Sequence, residues 1–399
     1  MSNTNVLVIN AGSSSLKFQV IEMPSKKVKC KGGIERIGLE NSSFSYSNMT
    51  ESFKKNIEIP DHSFGLQTIN ETLTDAKYGV ISSTSDIHIV GHRVVHGGRK
   101  YSDSTLIDQE VKDQIKNLFE LAPLHNPLNL AGIEIAEKIF PNAKQVAAFD
   151  TAFHQTMPKV AYQYAIPNKF LNDHKIRAYG FHGNSHKYVS EKAIEYLELS
   201  SSKLITIHLG NGCSMSAIKD GECIENSLGF GPMNGLVMGT RSGDIDQSVI
   251  VYLQKKLGYT IEEVNTLLQK QSGLMGLTGM SDVRDIQEKA EAGDKNCQFA
   301  LELMTYRIKK YLGAYISILN GADAIIFTAG IGENSAKIRE MVCENLSFLG
   351  IELAKNKNNE QSLGIHEIHS ENSRIKILII PTNEELEIAK QSYNLCNPK

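Results

Sequence analysis

Two stretches of the 399-residue chain align without gaps: Val6-Leu-Val-Ile-Asn-Ala-Gly-Ser-Ser-Ser15 and Leu204-Ile-Thr-Ile-His-Leu-Gly-Asn-Gly-Cys213. Each reads as an apolar strand, then Gly12 or Gly210, then small polar residues leading into another strand. The separation is far too long for a solenoid. Two related domains are therefore expected, each opening with a β-hairpin whose tip offers backbone N–H groups. Two such tips facing each other would hold a polyphosphate from both sides; two ordinary hairpins are the plainer alternative. The length suits two domains of roughly 100–200 residues each.

Elsewhere strand and helix patterns alternate, which argues for an α/β fold. Strands are expected at Val6–Asn10, Leu16–Ile21, Gln145–Phe149, Leu204–His208, Ala324–Phe327 and Ile375–Ile380. Ile107, Val111, Ile115, Leu118 and Leu121 fall at helical spacing, and Asn126-Pro127 reads as an N-cap followed by proline at the first helical position. A helix is expected from Ser185 to Leu197, another with a Thr260/Glu263 capping box, and a long one ending at Asn320-Gly321. Thr382 and Glu385 read as the capping box of a final helix, which would leave Glu384 free at a strand end. The pattern restarts near Asp150, so the expected domains are 1–150 with 385–399, and 151–384.

Composition excludes several functions. Lys+Arg is 42 against Asp+Glu 45, so no basic field awaits a nucleic acid, and the absence of Trp disfavours a base-stacking platform. No run approaches the roughly 20 apolar residues that span a bilayer. Six cysteines at irregular spacing, with no secretory signal, read as reduced thiols of a cytoplasmic protein.

Six constellations could carry chemistry. Asn10-Ala-Gly-Ser-Ser-Ser-Leu-Lys17 combines a close-approach glycine with the hydroxyls of Ser13 and Ser15 and a returning Lys17. It is no Walker loop. His92-Arg93-Val94-Val95-His96-Gly97-Gly98 holds an arginine among apolar residues, which is costly unless it meets an anion. Phe181-His182-Gly183-Asn184-Ser185-His186 opens a helix, whose free N–H groups favour an anion beside His182. A His182/His186 metal pair is weaker for want of a third ligand. His125 likewise precedes a helix. Met238-Gly239-Thr240-Arg241-Ser242-Gly243-Asp244 places a second arginine in a glycine-flanked turn, where an Arg241–Asp244 ion pair is the structural alternative. Phe327-Thr-Ala-Gly-Ile-Gly-Glu-Asn334 is a strand, a glycine loop and a helix, and Ser281-Asp282-Val283-Arg284 could add nucleoside contacts. In Pro381-Thr-Asn-Glu384-Glu385, Glu384 could hold Mg²⁺ through water. Two glycine hairpins, two arginines and a few histidines and acids suit phosphoryl transfer, where catalysis is positioning and charge neutralisation.

Taken together, these motifs resemble the acetate kinase family, in order from Val6 to about Ala389. The resemblance implies two ribonuclease H-like domains of the actin and sugar kinase superfamily, with an active-site cleft between them, and a homodimer. It implies ATP plus acetate giving ADP plus acetyl phosphate, with Mg²⁺ (or Mn²⁺). By this resemblance Arg93 and Arg241 hold the carboxylate and the transferring phosphoryl group, His182 stabilises the transition state, and Asn10, Asp150 and Glu384 serve the metal. Lys17, Ser13, Ser15, His208, Asn211, Gly212, Gly330, Ile331 and Gly332 meet the nucleotide, with Asp282, Val283, Arg284 and Asn334 towards its adenosine. Val95, Leu124, His125, Phe181 and Pro232 line the acetate pocket.

The chain departs from the family pattern at Asn184, at Glu225-Asn226-Ser227-Leu228, at Gly231 and Asn234, and at Gln247. A carboxylate acceptor is already ionised at neutral pH, so this chemistry needs no general base. Its difficulty is an anion meeting an anion, which Arg93, Arg241, Lys17 and Mg²⁺ would address. Propionate kinase is the rival within enzymes, a pyrophosphate-type donor a more distant one. An actin-like ATP-binding protein is the rival outside enzymes, though it has no need of Arg93, His182 and Arg241 together.

Overall fold

The computed structural model describes residues 3–123, 125–360 and 364–398. They form two compact units, Met1–Gln155 with Asn383–Lys399, and Thr156–Thr382. Both are mixed α/β. The sequence reading divides the chain at 150/151 and 384/385; the compact units change over at 155/156 and 382/383.

The first unit carries β1 (Thr4–Ala11), β2 (Ser15–Met23), β3 (Lys27–Glu35), β4 (Ser43–Asn48), β5 (Ser52–Asn56), β6 (Ile89–Val94), β7 (Thr105–Leu106) and β8 (Lys144–Phe149). They form one sheet in the order β5-β4-β3-β2-β1-β6-β8-β7. The first five make an antiparallel meander, β6 runs parallel to β1, and β8 parallel to β6. The second unit carries β9 (Lys203–Leu209), β10 (Cys213–Lys219), β11 (Glu222–Asn226), β12 (Ala324–Thr328), β13 (His366–Glu367) and β14 (Lys376–Ile379). Their order is β11-β10-β9-β12-β14-β13, with β9, β12 and β14 parallel and the rest antiparallel. The second sheet therefore repeats β3-β2-β1-β6-β8-β7 strand for strand. The gapless sequence repeat maps onto β1–β2 and β9–β10.

Packing on both faces explains the unbroken apolar run of β1. Leu7 and Ile9 join a core with Leu66 and Ile69 of the helix His62–Leu73 and Ala136 of the helix Asn126–Ile139. Val6 and Val8 face the other way, onto Ile388 and Ala389 of the helix Glu384–Cys396. Burying each such aliphatic side chain is worth about 1.5–3 kcal/mol. A Cβ on Gly91 of β6 would stand 2.8 Å from Ile388 Cγ2 and 2.8 Å from Ser392 Oγ, so only glycine lets this helix seat so closely.

Several boundaries differ from the sequence expectation, each for a local reason. The helix expected from Ile107 to Leu121 covers only Gln109–Asn117, because the Asp108 side chain accepts from Val111 N and starts it later. Asn126 is not a cap: it is buried, with Oδ1 accepting from His96 N, and His125 occupies the cap position. The helix expected from Ser185 begins at Gly183. The final helix is capped by Asn383, whose Oδ1 accepts from Leu386 N, so Glu384 is its first residue instead of a free strand-end acid. The glycine loop after β12 is a short helix, Ala329–Asn334. The long helix ends at Asn320 in a left-handed turn, as expected, with Ile318 near its end half exposed. The Thr260/Glu263 capping box is present. The six cysteines are unbridged, and among the described residues no helix is long and apolar enough to cross a membrane.

Replacing Gly91 by Val should overpack the contact with Ile388 and lower stability by about 1–3 kcal/mol. Gly313→Ala, in a helix with open space around the added methyl, should instead raise it by about 0.4–1 kcal/mol. Denaturant midpoints read both; an unshifted midpoint for G91V would show that the seat of the terminal helix is slack.

Candidate functional site

In the first unit the parallel register of β6 and β8 pairs Arg93 with Ala148 and Val94 with Phe149, so Asp150 emerges just beyond the strand ends. Its N–H continues the ladder to Val94 O at 2.9 Å. Arg93 donates to it as a fork, from Nε at 3.1 Å to both oxygens and from Nη2 at 2.6 Å to Oδ2. Arg93 Nη1 reaches Asn10 Oδ1 at 3.4 Å, from the end of β1, and Glu384 Oε2 lies 3.8 Å from Arg93 Nε. The carboxyl end of parallel strands is where open α/β sheets bind ligands.

This cluster has more negative charge than one guanidinium can balance. Burial pushes the Glu384 carboxyl up to about 7; Asp150 and Glu385 push the same way, against Arg93 and Lys17. Burial opposes the charged form of Arg93, yet the Asp150 and Glu384 carboxylates outweigh it and hold its pKa above the ordinary value. Two carboxylates and an amide oxygen short of positive charge fit a hard divalent cation such as Mg²⁺, which is usually held by one or two carboxylates, water and substrate phosphates. Among the described residues no group of three or more His, Cys, Asp and Glu side chains is arranged to hold an ion by itself.

In the second unit His182 stands at the cap position of the helix Gly183–Leu197 with φ 57°, a left-handed conformation uncommon for a residue with a side chain. Its Nδ1 lies 2.8 Å from Ser214 Oγ, and its ring stacks on His208 at 4.3 Å between centroids. At the tip of the β9–β10 hairpin, a Cβ on Gly212 would stand 3.4 Å from His182 Nε2 and 3.6 Å from Arg241 Nη2. The glycine thus brings backbone, imidazole and guanidinium to one point.

Arg241 differs from Arg93 in having no acid. Its Nη1 donates to Pro232 O at 2.7 Å, and among the described residues no carboxylate pairs with it. The expected Arg241–Asp244 pair does not form: Asp244 is held by Arg307 at 3.4 Å, by the Tyr311 hydroxyl at 2.8 Å and by Gly235 N. Burial lowers the pKa of Arg241. A half-buried guanidinium without a counter-charge is a ready anion site.

The other expected residues are placed as follows. Lys17 sits opposite Asn10 across the first hairpin; Ser13 is exposed at its turn, and Gly12 N donates to Ser15 O at 2.8 Å. His208 Nδ1 lies 2.8 Å from Ser185 Oγ, and Asn211 is exposed beside Gly212. Gly330, Ile331, Gly332 and Asn334 lie in the short helix after β12, where Asn334 Nδ2 donates to Gly330 O. Asp282 caps the helix Val283–Glu291 and pairs with the exposed Arg284 at 2.6 Å, while Val283 is buried. Val95 is buried and His125 half-buried in the first unit; Phe181 is buried and Pro232 half-buried in the second. Leu124 lies outside the described residues.

Sequence reasoning missed Arg339. It is 3% exposed, has no acid partner among the described residues, and donates to the carbonyls of Gly332 and Glu333 at 2.9 Å each and to Asn358 Oδ1 at 2.7 Å. It holds the C-terminal end of the Ala329–Asn334 helix. An arginine inside an amphipathic helix pattern carries no signal of that role.

A family model described as the acetokinase family matches residues 5–390. The chain belongs to the acetokinase family. It is 58% identical over 390 residues to an acetate kinase of Flavobacterium johnsoniae, covering 98% of this chain and 99% of that one. The solved acetate kinase of Porphyromonas gingivalis superposes with a TM-score of 0.92 at 41% identity, covering 99% of this chain and 100% of that one. A propionate kinase from Francisella tularensis gives 0.93 at 41% identity, with 98% and 99% covered. The chain is thus a kinase with the fold of the acetate and propionate kinases. Of its departures from the family pattern, Asn184 and Asn226 are buried, and Asn226 Nδ2 donates to Ser216 Oγ at 2.8 Å. Burial raises the neighbouring Glu225 carboxyl to about 7. Asn234 is exposed, Gly231 has no neighbour within 4 Å of an added Cβ, and Gln247 opens a helix behind the Asp246 cap.

The two arginines should separate stability from turnover. Arg93→Ala removes the forked counter-charge of the buried Asp150 and should cost roughly 3 kcal/mol of stability, and at least about two decades in kcat/KM. The double variant with Asp150→Ala should recover stability and not activity. Arg241→Ala should cost as much activity with little change in midpoint, and lysine at either position should rescue only in part. Full activity of either alanine variant would remove that arginine from the reaction.

Proposed function

We propose that this chain transfers the γ-phosphoryl group of ATP to acetate, reversibly, giving ADP and acetyl phosphate. The observation that carries the reading is Arg241, a half-buried guanidinium with no carboxylate of its own, converging with His182 on the glycine tip of a hairpin. Acetate is ionised at neutral pH, so no base is required of the protein, and none is needed among these residues. Its oxygen attacks the γ-phosphorus in line, and the bond to the bridging oxygen breaks as ADP leaves with the electron pair. Arg241 and Arg93 offset the repulsion between the two anions, and His182 donates to a phosphoryl oxygen as charge shifts. Lys17, Ser13, Ser15, Asn211, Gly212 and Gly330–Gly332 serve the phosphates, and Asp282 and Arg284 the adenosine. Asn10, Asp150 and Glu384 would hold Mg²⁺ (or Mn²⁺), which would supply further charge neutralisation when bound with the nucleotide.

A cytoplasmic location and a homodimer belong to the same reading. The helix Gln247–Leu257 buries none of its residues within the chain, leaving Val251 48%, Tyr252 57% and Leu257 55% exposed. A second copy of the chain would cover that face. Sedimentation should give a dimer, and Val251→Glu with Tyr252→Glu should shift it towards monomer; a monomeric parent would remove the dimer from the reading.

Acid length tests the substrate. The acid-binding residues of this reading, Val95 of the first unit and Phe181 and Pro232 of the second, are apolar and mid-sized or rigid, and beside such side chains one extra methylene is typically worth about 1–3 kcal/mol, or roughly 10–200-fold. With ATP and Mg²⁺, a hydroxylamine trap for acyl phosphate should favour acetate over propionate in kcat/KM and leave butyrate almost inert. Val95→Ala should shift the ratio towards propionate. The fit to the Francisella propionate kinase supports a second reading, and propionate equal to or better than acetate would select it. No hydroxamate above background with any short acid would end both.

A further inference from the structure

His182, itself half-buried, ends a chain of buried side chains in the second unit. Ser214 Oγ, on β10, lies 2.8 Å from His182 Nδ1 and 2.7 Å from His186 Nε2; His186 Nδ1 lies 2.7 Å from Thr206 Oγ1 on β9. Ser214, His186 and Thr206 are each 0% exposed. The strands place both hydroxyls together because Ser216 of β10 pairs with Thr206 and Ser214 with His208, next along β9 on the same face.

With neutral imidazoles, proton counting leaves three arrangements. A neutral imidazole has one N–H and one lone pair, and each hydroxyl has one proton. In the first arrangement Thr206 donates to His186 Nδ1, His186 Nε2–H donates to Ser214, and Ser214 donates to His182 Nδ1. In the second every bond reverses, and the Thr206 proton must find another acceptor. In the third Ser214 accepts from both rings and its own proton must find another acceptor, although among the described residues its hydroxyl meets only these two histidines. Among the described residues Thr206 Oγ1 has no partner but His186, and it is sealed inside the sheet. A buried hydroxyl proton without an acceptor is the costlier choice. The first arrangement wins, and it leaves the His182 proton on Nε2, the nitrogen that faces Gly212 beside Arg241.

We propose that Ser214, set by His186 and Thr206, is a positioning residue for phosphoryl transfer, fixing His182 as the Nε2–H tautomer so that it presents a donor and not a lone pair to the transferring group. This rests on the functional reading above. The opposite tautomer would turn a lone pair towards an anion. In a serine protease triad, the wrong histidine tautomer costs about 10⁴ in kcat. The loss here should be smaller, about 10–100-fold, because His182 can still sample the productive form.

The test uses the full chain with ¹⁵N-labelled histidine. Long-range ¹H–¹⁵N spectra separate protonated from bare ring nitrogens, and kinetics are run in parallel on Ser214→Ala and Thr206→Val. The latter keeps the shape of a strand residue and touches neither His182 nor substrate, so it remains informative if Ser214→Ala folds poorly. The parent should show His182 protonated at Nε2 in the absence of substrate. Both variants should lose that preference and lower kcat with KM values nearly unchanged, and Ser214→Thr, which restores the hydroxyl, should recover the tautomer. A His182 protonated at Nδ1 in the parent would overturn the proposal. So would a tautomer unmoved in both variants, or a moved tautomer with unchanged kcat. Failure of the parent to form acyl phosphate would instead sink the functional reading, and the spectra would still report on the chain of hydrogen bonds.

Discussion

Parallel pairing of three strands is the constraint on which the rest of each unit depends. In β1, β6 and β8, and again in β9, β12 and β14, the ladder aligns strand ends from distant parts of the chain. Asn10, Arg93 and Asp150 meet only because that register ends the strands together. The same arrangement in the second unit brings the tip of β9–β10, the helix Ala329–Asn334 and the Thr382 region to the carboxyl end of their sheet. Thr382 N donates to Glu333 Oε1, and its hydroxyl lies 2.8 Å from Ser185 Oγ.

The two arginines then divide the electrostatic work. Arg93 is locked in a fork with a buried aspartate, and its local charge remains negative, which suits a cation. Arg241 has only a carbonyl, and its local charge remains positive, which suits an anion. One residue type, near a strand end at Arg93 and in a glycine-flanked loop at Arg241, thus yields opposite electrostatic environments, and the difference lies in the neighbours each fold position supplies. Phosphoryl transfer to a carboxylate calls for both.

Hydroxyl and imidazole groups inside the second sheet add orientation to this charge pattern. Buried polar groups in a strand are costly unless each proton has an acceptor. Thr206, Ser214 and His186 meet that demand among themselves and hand its direction to His182. The Arg339 guanidinium does similar work for the short helix after β12: burial lowers its pKa to about 10, and backbone carbonyls replace the missing acid.

Much was legible in the sequence because it is local. The gapless repeat announced two like folding units, since strand–glycine–strand has one economical geometry. The apolar runs of β1, β9 and β12 announced buried strands, and the ordered motifs announced the family. Capping was less legible: Asp108, Asn383 and His125 start helices where Ile107, Thr382 and Asn126 were expected, because several polar residues compete for each start and tertiary contacts choose among them. The partners of Arg93, Arg241, His182 and Arg339 could not be read at all. Those of Arg93 depend on strand register, with Asp150 57 and Asn10 83 residues away and Glu384 near the other end of the chain; those of Arg241 and Arg339 are carbonyls and amides close in sequence that only the folded loops turn towards them.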